Sequence, residues 1–448
     1  MRRPQLWKAL EGATLDKTSG PARGRGFCSS VVAASAVMLT CAGPASANDG
    51  NAWLRFGPGG EGSGTSYSTS AASYDKAFIR EWESNPPRGF PTLSAANVEA
   101  TKQAIKRYEA IVKDGGWSPL GTTELAPGAS GKAVEELRER LRISGDLKGD
   151  SYYPDSYEET LETAVKRFQA ANGLTPTGVT DKRTLAALNV SAQSRLKQLK
   201  QGLERLRQFA GSTGKGKYVV VNIPAAQVEA VENGRVVSRH AGVVGKADRK
   251  TPLLKSSIHE LNFNPVWRLP PTVVHKDLIP KGQQMQQAGK NVLVKFGIDA
   301  YDGNGRKLDP EKIKWNSAMP QSLSYSQQPG KDNPLGFLKI NFHNEYSVYM
   351  HDTPSESLFG RNFRAASSGC IRVQNIESLA QWLLEEQGIG KEQIAALKES
   401  RERKDVKLKR PVPLYFVYVT AWATEDGVVQ FRRDLYQKDG AGETVSAY

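Results

Sequence analysis

Residues 350–373, MHDTPSESLFGRNFRAASSGCIRV, place a histidine at the end of an alternating run (SVYMH) and, nineteen residues later, a cysteine after Ser-Ser-Gly. Period-2 alternation is the signature of a half-buried strand. It therefore predicts that this part of the chain is β structure with His351 at a strand end. A thiol becomes a useful nucleophile only as the thiolate, so Cys370 needs a base or cation nearby. Ser367, Ser368 and Gly369 leave the backbone before it free to turn tightly, which would aim N–H groups near Gly369 and Cys370 at a developing oxyanion. A small buried structural cysteine is the alternative.

Working outward, the other cysteines sharpen this reading. The 448-residue chain has three, and Cys28 and Cys41 lie in an N-terminal segment that reads as removable. A basic, polar stretch (1–26) precedes FCSSVVAASAVMLTCAG and then Ala45-Ser46-Ala47, a small-x-small cleavage pattern. Residues 1–47 are expected to be a secretory signal, because the apolar run is too short and too rich in Ser and Ala for an anchor. Lipidation at Cys41 is disfavoured by Met38-Leu39-Thr40 before it. After cleavage Cys370 would be the one cysteine left, in an oxidising compartment with no partner. A lone thiol there is a liability unless it works.

The composition, 39% apolar and 24% charged, is that of globular domains, and the 401 residues after position 47 suffice for two or three. The net charge is +14; the first 47 residues hold six Lys/Arg and two Asp/Glu, so the remainder keeps +10. For an exported protein this favours an anionic envelope polymer or membrane surface. Nucleic acid is excluded as a partner, since no zinc-finger spacing or aromatic RNA-binding motif accompanies the charge. His240, His259, His275 and His343 lack metal-ligand spacing, and no phosphate-binding glycine loop follows a strand, so neither metal nor cofactor is expected.

Along the chain, residues 48–73 are Gly/Ser-rich and read as a flexible leader. Residues 74–120 read as a helical scaffold: Ala77, Phe78 and Trp82 at helical spacing, then a helix capped by Ser94 with Val98, Ile105, Tyr108, Ile111 and Val112 as its stripe. Residues 121–190 form a three-helix module, the third helix capped by Thr180 or Asp181. The phrases AVKRFQAANGL and GVTDKRTLAALN within it closely resemble the peptidoglycan-binding module of cell-wall enzymes. Its long loop carries Tyr152, Tyr153 and Tyr157, which could stack on sugar rings or merely pack locally. Residues 191–216 supply a second scaffold helix, expected to pack on the one at 94–113, and a linker.

From Tyr218 the period becomes that of strands, with Asn233-Gly234 as a hairpin turn. Residues 217–435 are expected to form one mainly β domain, followed by a tail (436–448). Within it, 270–334 reads as a lid-like insertion holding a short helix, a strand (VLVKFGIDAY) and a polar loop (SLSYSQQPGKDNP). Two helices near 376–400 and a basic stretch (401–410), read as solvated, precede the last strands. The fold class is thus α+β and multidomain: a helical scaffold with a three-helix module, plus a mainly β sandwich.

The β domain resembles the L,D-transpeptidase catalytic domain of the YkuD type. The family pattern is a His, a spacer, then Ser/Thr-His-Gly-Cys, an apolar residue and Asn or Arg. Here it stands as His351, then Ser367-Ser368-Gly369-Cys370-Ile371-Arg372, with Ser368 where shorter members have His. NPVWRLPP, QQPG, NPLGFLKINF and YMHDTP resemble the long periplasmic subgroup, in which this serine is usual. The resemblance implies a periplasmic, wall-associated enzyme forming 3→3 cross-links between peptidoglycan stem peptides through a thioester on Cys370, with release of D-Ala. It also implies carbapenems as covalent inhibitors, and other cell-wall synthesis proteins as further partners. His351 would be the base, oriented by Ser367 or by a backbone carbonyl after it. Arg372 could clamp a carboxylate, and Ser368 and Tyr349 are candidate substrate contacts.

The acceptor stays open. Water would make the enzyme a carboxypeptidase or hydrolase, and a protein lysine would make it an attachment enzyme. A degenerate wall-binding scaffold is a further reading, and a thiolate present well below pH 8.5 would argue against it.

Overall fold

The computed structural model describes residues 89–440 apart from 150, 212, 214, 215 and 362. The expected signal segment, leader, the helix around Ala77, Phe78 and Trp82, and residues beyond 440 lie outside the described residues. Helix α1 (Ala95–Lys113) begins where the Ser94 side chain accepts the Ala96 N–H. It buries Ala104, Ile105 and Tyr108. Helices α2 (Lys132–Ser144), α3 (Glu159–Ala171) and α4 (Lys182–Leu188) form the module, closed around Val134, Leu137, Leu141, Leu161, Val165 and Phe168. Asp181 is the cap of α4, accepting the Thr184 N–H at 2.8 Å; Thr180 instead receives the Leu125 N–H at 2.7 Å. Tyr152 and Tyr153 stand 90% and 62% exposed and touch each other edge to face. Helix α5 (Ala192–Ala210) lies on α1, with Leu196, Leu199 and Leu203 against Ile105 and Tyr108.

The β domain begins with β1 (Lys217–Asn222), β2 (Gln227–Glu232) and β3 (Arg235–Gly245). Asn233 and Gly234 both have positive φ (51° and 75°), as a two-residue hairpin demands. Then come β4 (Leu254–Phe263), β5 (Trp267–Arg268), α6 (Ile279–Gln287), α7 (Val292–Phe296), β6 (Ile298–Tyr301) and β7 (Ser324–Gln327). The chain continues with β8 (Leu338–Phe342), β9 (Met350–His351), β10 (Ala365–Ser367), β11 (Ile371–Val373), α8 (Ile376–Leu383) and α9 (Lys391–Ser400). Strands β12 (Lys404–Val417), β13 (Ala421–Ala423) and β14 (Val429–Phe431) end it.

The nine-stranded sheet runs β10-β3-β11-β9-β8-β4-β12-β1-β2, and β2 pairs back to β3, so the ladder closes around one core. Inward residues of alternate strands, among them Val219, Val228, Ile258, Phe263, Ile340, Met350, Ile371 and Phe416, fill it. Helices α8 and α9 add Leu379, Leu383 and Ile394. Strands β5, β7 and β6 form a separate small sheet whose apolar core, with Trp267, Leu278, Met285, Phe296, Trp315, Tyr325 and Leu335, belongs to the insertion.

Three expectations need correction, those for VLVKFGIDAY, for SLSYSQQPGKDNP and for the start of the tail. VLVKFGIDAY is not one strand: Asn291 accepts the Leu293 and Val294 N–H groups and starts a helical turn, and Gly297 (φ 59°) ends it, leaving only Ile298–Tyr301 extended. SLSYSQQPGKDNP is not all loop, because β7 pairs with both β5 and β6 there. The basic stretch 401–410 enters β12 from Lys404 on, with Lys404–Lys407 laddered to Phe263–Glu260, and its lysines and arginines are exposed, in keeping with the solvated reading. The tail begins later than 436: Tyr436 is 5% exposed with its hydroxyl donating to the Gly245 carbonyl, and Asp439 pairs with Arg205 at 2.6 Å.

Buried His240, 3% exposed, lies between the Ser238 hydroxyl and the Gln374 carbonyl, both 2.9 Å away. Burial pushes its pKa down to about 4, so it is neutral in the fold, whereas the unfolded chain binds a proton near pH 6.5. Between those values the unfolded state holds more protons. Its contribution is therefore complete above pH 6.5 and is lost as pH falls towards 4, about 3 kcal/mol in all. Denaturant titrations at pH 7 and pH 4.5 should show a smaller acid loss for His240→Asn than for the wild type. Equal losses would contradict this.

Candidate active site

Register, more than sequence proximity, assembles the site. Strands β9 and β11 pair in parallel with Ile371 opposite Met350 and Arg372 opposite His351, and β8 brings Lys339 opposite His351. The Ile371 N–H donates to the Tyr349 carbonyl at 3.0 Å, which brings Cys370 level with Tyr349. Met350, Ile371, Leu338 and Ile340 point into the core. By alternation, Lys339, His351 and Arg372 share the opposite face, and Cys370 and Tyr349, just before β11 and β9, lie within electrostatic reach of Lys339 and Arg372 and of each other. That face is covered by the insertion: Tyr349 packs on its core, and Trp267 donates its indole N–H to the Tyr349 hydroxyl at 3.0 Å. His351 and Arg372 are consequently only 5% and 6% exposed although they lie on the outside of the sheet.

His351 Nδ1 lies 2.5 Å from the Asp352 carbonyl oxygen. A carbonyl only accepts, so Nδ1 carries the proton and Nε2 presents its lone pair. Burial, helped by the Arg372 charge, pushes the imidazole pKa down to about 3, against opposing pulls from the Asp352 and Pro334 carbonyls. The ring is a neutral base. Asp352 is itself pinned, its carboxylate taking the Phe337 N–H at 3.0 Å. Gly336 lies so close that an added Cβ would be 2.1 Å from that carboxylate, and its φ of 59° also favours glycine. Of the two candidates for orienting His351, the structure selects the backbone carbonyl.

Ser367 does not orient His351. Its hydroxyl donates to the Cys370 carbonyl at 2.6 Å and accepts the Gly369 N–H at 3.1 Å, so it shapes the turn that carries Cys370. The Gly369 amide is thereby engaged. Gly369 itself has φ 115°, a conformation suited to glycine. The Ser368 hydroxyl accepts from Arg249 at 2.8 Å. Both the backbone and the hydroxyl of Tyr349 hydrogen-bond to the Cys370 thiol. Arg372 Nη1 reaches the Thr353 hydroxyl at 3.4 Å, while its Nε is buried with no acceptor among the described residues.

Burial raises the Cys370 pKa above its ordinary value, outweighing the Tyr349 hydrogen bonds and the Lys339 and Arg372 charges that pull it down. The resting pair is thus a neutral thiol and a neutral imidazole. A thiolate at low pH, expected from sequence as the mark of a working enzyme, is not what this environment gives. Alkaline-onset reactivity is compatible with catalysis here, because the proton can move to His351 as the bond forms. Sequence reasoning missed Lys339, Arg249, Asp277, Thr251 and Trp267. A lysine between Leu338 and Ile340 was visible as the polar phase of an alternating strand, but its pairing with His351 was not.

Residues 216–408 match the family model of the L,D-transpeptidase catalytic domain (YkuD), and residues 130–188 match that of the Putative peptidoglycan binding domain. A protein of Haemophilus influenzae described as "Putative L,D-transpeptidase" is 30% identical over 221 residues, 49% of this chain and 44% of its own length. The chain therefore spans less than half of that relative. Among solved structures, an L,D-transpeptidase from Xylanimonas cellulosilytica is 17% identical, covering 67% of this chain and 100% of its own, with a TM-score of 0.22. One from Mycobacterium smegmatis is 16% identical over 46% of this chain and 59% of its own (TM-score 0.21). An L,D-transpeptidase in complex with imipenem is 15% identical over 46% and 60% (TM-score 0.23). These superpositions are loose and add no detail. Residues 216–408 thus carry a YkuD-type L,D-transpeptidase catalytic domain, and residues 130–188 carry a peptidoglycan-binding module.

Proposed function

We propose that this protein is a cysteine acyltransferase of the periplasm that forms 3→3 cross-links between peptidoglycan stem peptides. The observation that carries the reading is a neutral His351, with its Nε2 lone pair free of the Asp352 bond, set diagonally across from Cys370 just before an adjacent strand. The Cys370 sulfur attacks the carbonyl joining the third stem residue to its terminal D-Ala, and its proton passes to His351. The S–C bond forms, the C–N bond breaks, and His351 returns the proton to the departing D-Ala amine. An acceptor amine then attacks the thioester, giving its proton to His351 and releasing the thiol. The Cys370 amide supports the oxyanion. Arg372, with its buried Nε–H, and Lys339 supply the cations for a stem carboxylate. The module at 130–188 holds the chain on the glycan.

The test is mass analysis of muropeptides after incubation of disaccharide-tetrapeptide with protein lacking residues 1–47. Loss of D-Ala with dimers carrying the 3→3 bond is the expected result. Tripeptide alone would make the protein a carboxypeptidase, and no turnover by folded protein would favour a wall-binding scaffold. The same thiol should form a stoichiometric carbapenem adduct in an intact-mass spectrum, the strained ring standing in for the acyl donor.

A further inference from the structure

The loop between β3 and β4 is stitched to the turn that carries the nucleophile. The Lys246 N–H donates to the Ser367 carbonyl at 3.0 Å, and the Thr251 hydroxyl donates to the Gly369 carbonyl at 2.9 Å. Gly245, whose N–H donates to the Thr251 hydroxyl, lets this loop fold back tightly: a Cβ there would lie 2.1 Å from the Arg249 carbonyl oxygen. The fold-back aims the Arg249 guanidinium at two partners. Nη1 donates to the Ser368 hydroxyl at 2.8 Å. Nη1 and Nη2 also form a bidentate pair with Asp277, at 2.5 and 2.8 Å. The two side chains are only 8% and 5% exposed. Asp277 lies in the helical run Val274–Leu278 of the insertion, not in the sheet.

We infer that Arg249 is a positioning residue that couples the seating of the insertion to the geometry of the Cys370 turn, with Ser368 as its contact on that turn. A buried carboxylate–guanidinium pair is strongly disfavoured when one partner is removed, so Arg249 and Asp277 move together or not at all. The fork of the guanidinium can hold the carboxylate in two bonds and still spare a donor for the serine, which a lysine ammonium does with less directional control. When the insertion is seated, Arg249 fixes Ser368 and with it the peptide between Ser367 and Gly369. When the insertion lifts, that tie to the nucleophile turn is lost. This makes the lid part of the nucleophile's alignment. The inference rests on the proposed role of Cys370.

The experiment is a double-mutant cycle on the full protein with Asp277→Asn, Ser368→Ala and the pair, plus Arg249→Lys. Two readouts are taken: kcat and KM for D-Ala release, and the second-order rate of Cys370 alkylation by iodoacetamide, which needs no substrate. Each single variant should lower kcat about 10- to 100-fold with KM changed less than about threefold, and the double variant should be no worse than the worse single. Arg249→Lys should recover part of the loss seen in an Arg249→Met control. Losses that multiply, or variants that lose only thermal stability while kcat holds, overturn the proposal. If the wild type alkylates normally yet turns over no muropeptide, the functional reading fails instead, and the alkylation cycle alone decides: coupling in the double variant supports the positioning role, and additivity sinks it.

Discussion

With Cys370→Ala, D-Ala release falls below detection, a loss expected to be on the order of 10⁴-fold or more because no other side chain at the site can form the acyl intermediate. Lys339, Tyr349, His351 and Arg372 remain in place in such a variant, since Ile371 and Val373, not the thiol, hold β11 in the sheet. His351→Gln should lose roughly 10²- to 10⁴-fold, the usual worth of a positioned proton carrier. The pH dependence separates the mechanism from a pre-ionised ion pair. Burial holds the Cys370 thiol above its ordinary pKa and the His351 imidazole down at about 3. Alkylation of Cys370 by iodoacetamide should therefore keep rising through the alkaline range, with no plateau at neutral pH and no acid limb near 6.5. A flat neutral plateau, abolished by His351→Gln, would mean that the pair is already ionised at rest and that burial is weaker than the structure implies.

Gly202→Ala should be among the most destabilising single changes in the described chain. Gly202 sits in the middle of α5, where alanine would ordinarily favour the helix by up to about 1 kcal/mol. Here a Cβ would stand 1.8 Å from the Ala421 carbonyl oxygen and 2.9 Å from its carbon. The clash is with backbone, so no rotamer relieves it. The helix must lift off β13, whose Ala423 N–H is already tied to the Thr101 hydroxyl of α1. Overpacking of this kind costs roughly 1–3 kcal/mol or more, which exceeds the propensity gain. Thermal unfolding should show a clear drop, and limited proteolysis should open the helical region before the β domain. A variant as stable as the wild type would show that α5 does not depend on this contact.

The division between what was legible and what was not follows the range of the forces involved. Ser94 as a cap, the Asn233-Gly234 turn, the apolar stripes of the helices and the alternation around Met350 are local, set by neighbours within a turn or a strand, so the sequence alone determined them, whereas the choice of Asp181 over Thr180 came from the structure. The same is true of Cys370 and His351 as a candidate pair, because a lone thiol after Ser-Ser-Gly and a histidine ending a strand are local facts. VLVKFGIDAY misled because β-branched residues favour strands, while the Asn291 cap and Gly297 stop imposed a helical turn. The basic stretch before Arg410 was legible as solvated but not as a strand, because charge says nothing about backbone pairing and the partner on β4 lies 141 (404 − 263) to 147 (407 − 260) residues earlier. Only the tertiary structure decided that the Asp352 carbonyl holds His351, that Ser367 bonds within its own turn and Ser368 bonds to Arg249, and that Lys339 and Arg249 reach this face at all. Those outcomes depend on parallel register and on burial beneath the insertion, and both are set by contacts between segments far apart in sequence.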